Sequence, residues 1–369
     1  VNILRRLPLS RLLLVCALVL ALGVSLTALA LALGTGPTPP PKPLAEAVHD
    51  ALAAPAVDGV STRITLTNHL FEGADLASGS GAASQLASSP LMSGADGRLW
   101  IAKDGRVRLE LQSEKGDTQI YYDGHALSVF DASTNTLYRY AGTGGTGTQQ
   151  PATPGSDHEV PSVAKIEEGI TKLEKHAQLS GARPSDVAGQ PTYTVRISPN
   201  ESGSLIGGAE LSWDANNGVP LRAAVYSSTS ASPVLELAAT GEVAYGPVDA
   251  SVFEFKPPAG VKIQDVKLPE RSSSTTGTQS TDGSSHPTVT KHGDGIGAVA
   301  VVEGKQAGTS EKESSGLPEG LAKVKINGTT ATELSTALGT LLSFERSGVH
   351  YLVGGFVAPS SVEEVARGL

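Results

Sequence analysis

The sequence predicts an α+β protein: a strongly curved antiparallel sheet carrying two short helices, then a small C-terminal α+β unit, with a membrane-spanning helix ahead of both. Three observations predict it. Residues 12–33 form one apolar run without a charge, segments of alternating apolar and polar residues follow one another from 97 to 140 and again from 186 to 255, and a Ser/Thr/Gly-rich stretch at 269–293 precedes a restart of the pattern.

From Leu12 to Leu33 the chain is long enough, at about 1.5 Å per helical residue, to cross about 30 Å of hydrocarbon. Arg5, Arg6 and Arg11 precede it, so residues 1–11 are expected in the cytoplasm and everything after residue 33 outside it. The run reads as a retained anchor; the Ala-Leu-Ala steps at 28–30 and 30–32 leave a cleaved signal peptide, and hence secretion, as the alternative. Cys16, the single cysteine, lies in this run as a small hydrophobe and allows no disulfide within one chain. Residues 34–43, with prolines at 37, 39, 40, 41 and 43, form a semi-rigid linker.

Residues 44–265 make the main β-rich domain. Leu44 to Ala54 reads as a helix with Leu44, Ala47, Val48, Ala51 and Leu52 on one face, and Val60 to Leu70 alternates as a strand. Residues 73–96 read as a mobile loop. Strands are expected at 97–103, 105–112, 117–123, 125–131 and 136–140, with Asp104-Gly105 and Asp123-Gly124 as hairpin turns. Along them Leu99, Ile101, Val107, Leu109, Leu111, Ile120, Leu127 and Val129 take one parity, and Arg106, Arg108, Glu110, Gln119 and Ser128 the other, which gives one apolar and one wet face. Val160 to Gln178 reads as an amphipathic helix through Val163, Ile166, Ile170 and Leu173. Strands resume at 186–198, 205–214, 219–228, 234–245 and 252–255. Residues 266–293 are a linker. The small domain at 294–369 should hold strands at 296–303, 321–326 and 349–357 and helical patches near 331–341 and 360–367.

Aromatics are 4% of the chain, and 42 Gly with 23 Pro point to much loop, while 39% apolar residues support one sizeable core. The net charge is −9, and residues 1–33 contribute +3 of it, leaving −12 for the rest. That balance argues against nucleic acid, which demands a basic face.

Few residues suggest chemistry. Gly142-Thr-Gly-Gly-Thr-Gly147 matches a dinucleotide fingerprint in letters, but no helix opens after it. The eight histidines show no metal spacing, and no G-x-S-x-G elbow exists. Glu210 and Asp214 share a strand and read as solvated acids; Trp100 and Trp213 read as sheet packing. No enzyme, cofactor or metal site is expected.

Three phrases carry a resemblance. Gly97-Arg-Leu-Trp-Ile-Ala-Lys-Asp-Gly-Arg-Val-Arg-Leu-Glu-Leu111, then Gly116-Asp117 through Leu127-Ser-Val-Phe-Asp131, then Asp249-Ala-Ser-Val-Phe-Glu-Phe-Lys-Pro-Pro-Ala-Gly-Val261 resemble, in that order, two hairpins and the closing strand of the LolA superfamily. That group includes outer-membrane lipoprotein carriers and the MucB/RseB envelope-stress regulators. The tail at 343–369 is similar to C-terminal extensions of RseB-like proteins. The resemblance implies an incomplete antiparallel β-barrel, closed by helices, around a cavity for acyl chains. The cavity residues would be Leu99, Ile101, Val107, Leu109, Leu111, Ile120, Tyr122, Leu127 and Val129. Lys103 stands in the hairpin step where the carriers place a lid-tethering arginine. The same residues would also serve as ordinary core beneath the two helices.

The expected partners are a lipid acyl chain or a lipoprotein and the cytoplasmic membrane, on which the extracytoplasmic domains would be anchored by a single pass. The alternative is an RseB-like regulator that holds a membrane protein partner such as an anti-sigma factor.

Overall fold

A computed structural model describes residues 36–72, 90–114, 116–141, 160–267, 288–305, 317 and 320–369. The expected membrane helix at 12–33, the glycine run at 142–147 and most of the linker at 266–293 lie outside the described residues. Among the described residues no helix is long and apolar enough to cross a membrane.

The first helix, α1 (Leu44–Ala53), starts after Pro43 and stops where Pro55 forces Ala54 into an extended conformation. Then come β1 (Gly59–Asn68), a single helical turn at Pro90–Ser93, β2 (Ala95–Ala102), β3 (Val107–Ser113), β4 (Gly116–Tyr122), β5 (Ala126–Asp131) and β6 (Thr136–Ala141). Helix α2 (Val163–Glu174) begins at Ser162, whose hydroxyl accepts from the Lys165 amide. Next are β7 (Ala177–Leu179), β8 (Arg183–Val187), β9 (Gln190–Pro199), β10 (Ile206–Asp214), β11 (Pro220–Ser227), β12 (Pro233–Ala239), β13 (Ala244–Tyr245) and β14 (Lys262–Lys267).

These fourteen strands form one sheet in the order β14-β6-β5-β4-β3-β2-β1-β12-β11-β10-β9-β7, with β13 added to β1 and β8 to β9. All pairs are antiparallel except β14 with β6. Two glycines are set by geometry. Gly218, at φ +73°, turns the β10–β11 hairpin so close to α1 that a Cβ would lie 2.4 Å from the Ala51 carbonyl oxygen. Gly97 lies where a Cβ would come within 2.0 Å of the Glu110 carbonyl oxygen.

The remaining strands are β15 (Thr288–His292), β16 (Val299–Lys305), β17 (Ala322–Ile326), β18 (Thr329–Ser335), β19 (Thr340–Arg346) and β20 (Val349–Gly355), followed by α3 (Pro359–Arg367) with Pro in its first turn. They form a second antiparallel sheet, β15-β16-β20-β19-β18-β17. Its buried face carries Val301, Leu342, Phe344 and Val353 against Val362 and Ala366 of α3.

The α+β expectation is corrected: the protein is mostly β. Its large sheet is open, and among the described residues no helix closes it. Helix α2 packs on α1 and β7, and α1 reaches the sheet at Ala47 against Tyr193, Val195 and Trp213. The second unit is likewise a sheet with one helix. Residues 331–341 are not helical, although Ala331, Leu334, Leu338 and Leu341 fall at helical spacing. Thr336 accepts from the amides of Leu338 and Gly339 and donates to the Gly339 carbonyl, which makes a tight turn between two strands. No strand forms at 252–255. Instead Asp249 caps a 3-10 turn at Ala250–Phe253 by accepting from the Ser251 amide. The last five residues assigned to the linker before Gly293 are strand β15.

Candidate functional site

In an antiparallel ladder, residues directly opposite one another show their side chains on the same face. Register therefore decides which alternating residues meet. One row runs Val60, Ile101, Val107, Tyr122, Leu127, Tyr140 across β1 to β6. The next runs Thr62, Leu99, Leu109, Ile120, Val129, Tyr138. Leu111 falls in a third row beside Thr118 and Gly97. All nine apolar residues singled out from the sequence thus share one face.

The face continues past β1. Leu66 opposes Leu237, Leu237 opposes Ala223, and Ala223 opposes Leu211. At β10 it passes beneath α1 through Trp213, whose indole N–H is buried without a partner among the described residues.

Cover over this face is uneven. Val187 of β8 and Val243 close the end near Val60, Leu221 and Ala239. Leu111 is fully buried, whereas Tyr122 and Leu127 are each 37% exposed and Leu211 is 41% exposed. A cavity of about 100 Å³ lies among Val60, Ile64, Leu99, Ile101, Leu221 and Leu237. Small-molecule pockets hold about 300–1,000 Å³. The enclosed part is thus a fraction of a lipid site, and among the described residues the rest of the face is partly buried, with Tyr122, Leu127 and Leu211 its most exposed apolar side chains.

Lys103 stands apart from the face. It lies in the β2–β3 turn, exposed, and its ammonium meets Asp58 at 2.8 Å.

The opposite face is not simply wet. Tyr121, Phe130 and Leu137 are buried there. Phe255 lies over the first two, with ring centroids at 5.0 and 5.4 Å. Arg108 donates to the Val252 carbonyl at 2.7 Å, pairs with Glu110, and faces the rings of Trp100 and Tyr121. The Arg106 guanidinium lies 4.9 Å from the ring centre of Phe253. The 250–255 segment is therefore plated onto this side. Alternation missed it because Tyr121 and Phe130 sit among polar neighbours, although their aromatic type was a signal.

Further along the same side, Arg222 joins Glu210 and Glu236, and Arg196 joins Glu210. Burial disfavours the Arg222 charge, but bonds to Glu210, Tyr226 and Glu236 outweigh it and raise its pKa. Burial likewise opposes the Glu210 charge, and its donors overcome this and hold its pKa low. Asp214 is buried and accepts from Tyr245 at 2.6 Å and from the Asn216 amide at 2.7 Å. Burial, then Asp214, drives the Tyr245 pKa upward. Neither acid is solvated as expected; each is a fixed structural acceptor. Among the described residues no group of three or more His, Cys, Asp or Glu could hold a metal ion.

No family model and no curated protein matches the chain. Solved structures do. MucB in complex with MucA(peri) is 16% identical, covers 88% of this chain and 94% of its own, and has a TM-score of 0.39. The MucA/MucB complex of Pseudomonas aeruginosa is 15% identical over 88% and 96%, with a TM-score of 0.40. A LolA superfamily protein from Nitrosomonas europaea is 8% identical over 87% and 97%, with a TM-score of 0.19. These belong to the group that the three sequence phrases resemble. With TM-scores of 0.40 and below, the reading of function rests on the residues of this chain.

Proposed function

We propose that this chain is an envelope-associated, extracytoplasmic binding protein whose apolar sheet face takes the acyl chain of a lipid or lipoprotein. The supporting observation is the register: the nine apolar residues of β2 to β5 fall on one face, on which Tyr122 and Leu127 are left 37% exposed. Burying hydrocarbon contributes about 0.8 kcal/mol per methylene, or about 10 kcal/mol for a dozen carbons. Association opposes this by about 4–15 kcal/mol. Chain length therefore governs affinity, and no polar contact is required.

The test is mass-spectrometric lipid analysis of the full-length chain purified from membranes. A stoichiometric lipid that is lost in Leu109→Glu and Val129→Glu supports the reading. A protein that carries no lipid, or the same lipid in these variants, overturns it.

A second reading is an RseB-like protein that holds a membrane protein partner. It is favoured by β15, the outer strand of the six-stranded sheet, all five residues of which are exposed. Such an edge offers unpaired backbone groups to a strand from another chain. Crosslinking from position 289 in cells, followed by identification of the captured protein, tests it.

A further inference from the structure

We propose that a hollow between the two sheets is a second apolar site, and that it takes a single hydrocarbon chain. It is distinct from the curved face and does not depend on that face binding lipid.

The hollow measures about 370 Å³. Leu70, two residues beyond β1, forms one wall; Leu334, Leu338, Leu341 and Phe356 form the others. Leu334 and Leu341 oppose each other on β18 and β19, on the side of that sheet away from the core under α3. Main-chain bonds hold the two units together beside it. The Ala337 amide donates to the Leu70 carbonyl at 2.9 Å, and the Leu205 amide to the Phe356 carbonyl at 2.7 Å. The Ser204 hydroxyl donates to that same carbonyl at 3.0 Å.

The chemistry of the lining selects the occupant. Among the described residues that line it, the only polar side chains are Thr336 and Thr340. Thr336 is engaged within its own turn, and Thr340 donates to the Val357 carbonyl at 3.0 Å. A polar ligand would lose its water and find no side-chain partner, which is costly. Hydrocarbon pays no such cost. Size narrows the choice further: a cavity of about 150 Å³ holds one benzene. More than twice that volume exceeds what one protein side chain fills and suits an extended chain. Phe356 is 55% exposed at the margin, placed to cover an occupant.

The experiment is a fluorescence titration of the full-length chain with 11-(dansylamino)undecanoic acid. It is run on the Leu109→Glu/Val129→Glu background, so that the curved face is disabled. Saturable binding should remain there. Leu341→Trp, which narrows the hollow, should weaken it at least tenfold, and Phe356→Ser, at an exposed position that leaves folding intact, several-fold. Loss of all binding on that background, or binding unchanged by both further substitutions, overturns the second site. The curved-face reading fails separately, if Leu109→Glu/Val129→Glu leaves total probe stoichiometry unchanged.

Discussion

Phe255 lies tilted over Tyr121, their ring centroids 5.0 Å apart, although 134 positions separate them in sequence. That contact fastens the segment after the last hairpin to the side of β4 that alternation marks as wet. The other side of β4 carries Ile120 and Tyr122 on the apolar face, where Tyr122 is left 37% exposed.

Removing the fastening should loosen the fold rather than rearrange the apolar face. Phe255→Ala loses a half-buried ring and two aromatic contacts, so a cost of about 2 kcal/mol is expected. Arg108→Ala loses a charged bond to the Val252 carbonyl and should cost a similar amount, about 2 kcal/mol. Urea denaturation, read as a shift in midpoint at constant slope, checks both.

Acyl affinity should climb with chain length. At about 0.8 kcal/mol per methylene, each added carbon should tighten binding about fourfold until the apolar rows are covered. Titration of a fatty-acid series checks this, and Leu109→Glu should flatten the dependence.

Arg222 sits between Glu210 and Glu236, which oppose one another's rows through Ala224. Arg222→Met leaves two half-buried carboxylates facing each other, at a cost of about 2 kcal/mol. Because folding lowers the Glu210 pKa, its contribution is present above the unfolded value and is lost as pH falls through the folded one. The stability gap between wild type and Arg222→Met should therefore narrow in acid. Thermal melts at pH 7 and below pH 4 check this.

Glu333 behaves in the opposite sense. Its Oε2 is buried without a partner among the described residues; burial, then the Glu363 charge, raises its pKa. Stability from its bound proton is complete below the unfolded value of about 4.3 and is lost as pH rises through the folded pKa. Glu333→Gln should raise the melting temperature at pH 8 and change it little near pH 4. Calorimetry at the two pH values checks the sign.

Much of the apolar face was legible in the chain. Leu99, Ile101, Val107, Leu109, Ile120 and Val129 alternate strictly, and the glycine-bearing turns at Asp104-Gly105 and Asp123-Gly124 set hairpins that bring equal parities together. Local pattern and turn chemistry decide strand identity and facing, and both are written in consecutive residues. Other features depended on partners far away in sequence. Helical spacing at Ala331, Leu334 and Leu338 gave way to a turn held by the Thr336 hydroxyl, with its flanking strands taken into a sheet. The burial of Tyr121 and Phe130 required Phe255, and the hollow beside Leu341 required Leu70 from the other sheet. Whether helices would close the large sheet was likewise settled by where α1 and α2 find apolar cover, which is at Tyr193 and Trp213 and on each other. Sequence by itself determined β2 to β5 and their apolar face, because period and turns are local. Only the tertiary structure decided which face is covered, and by what, because burial is a property of surfaces that meet across the chain.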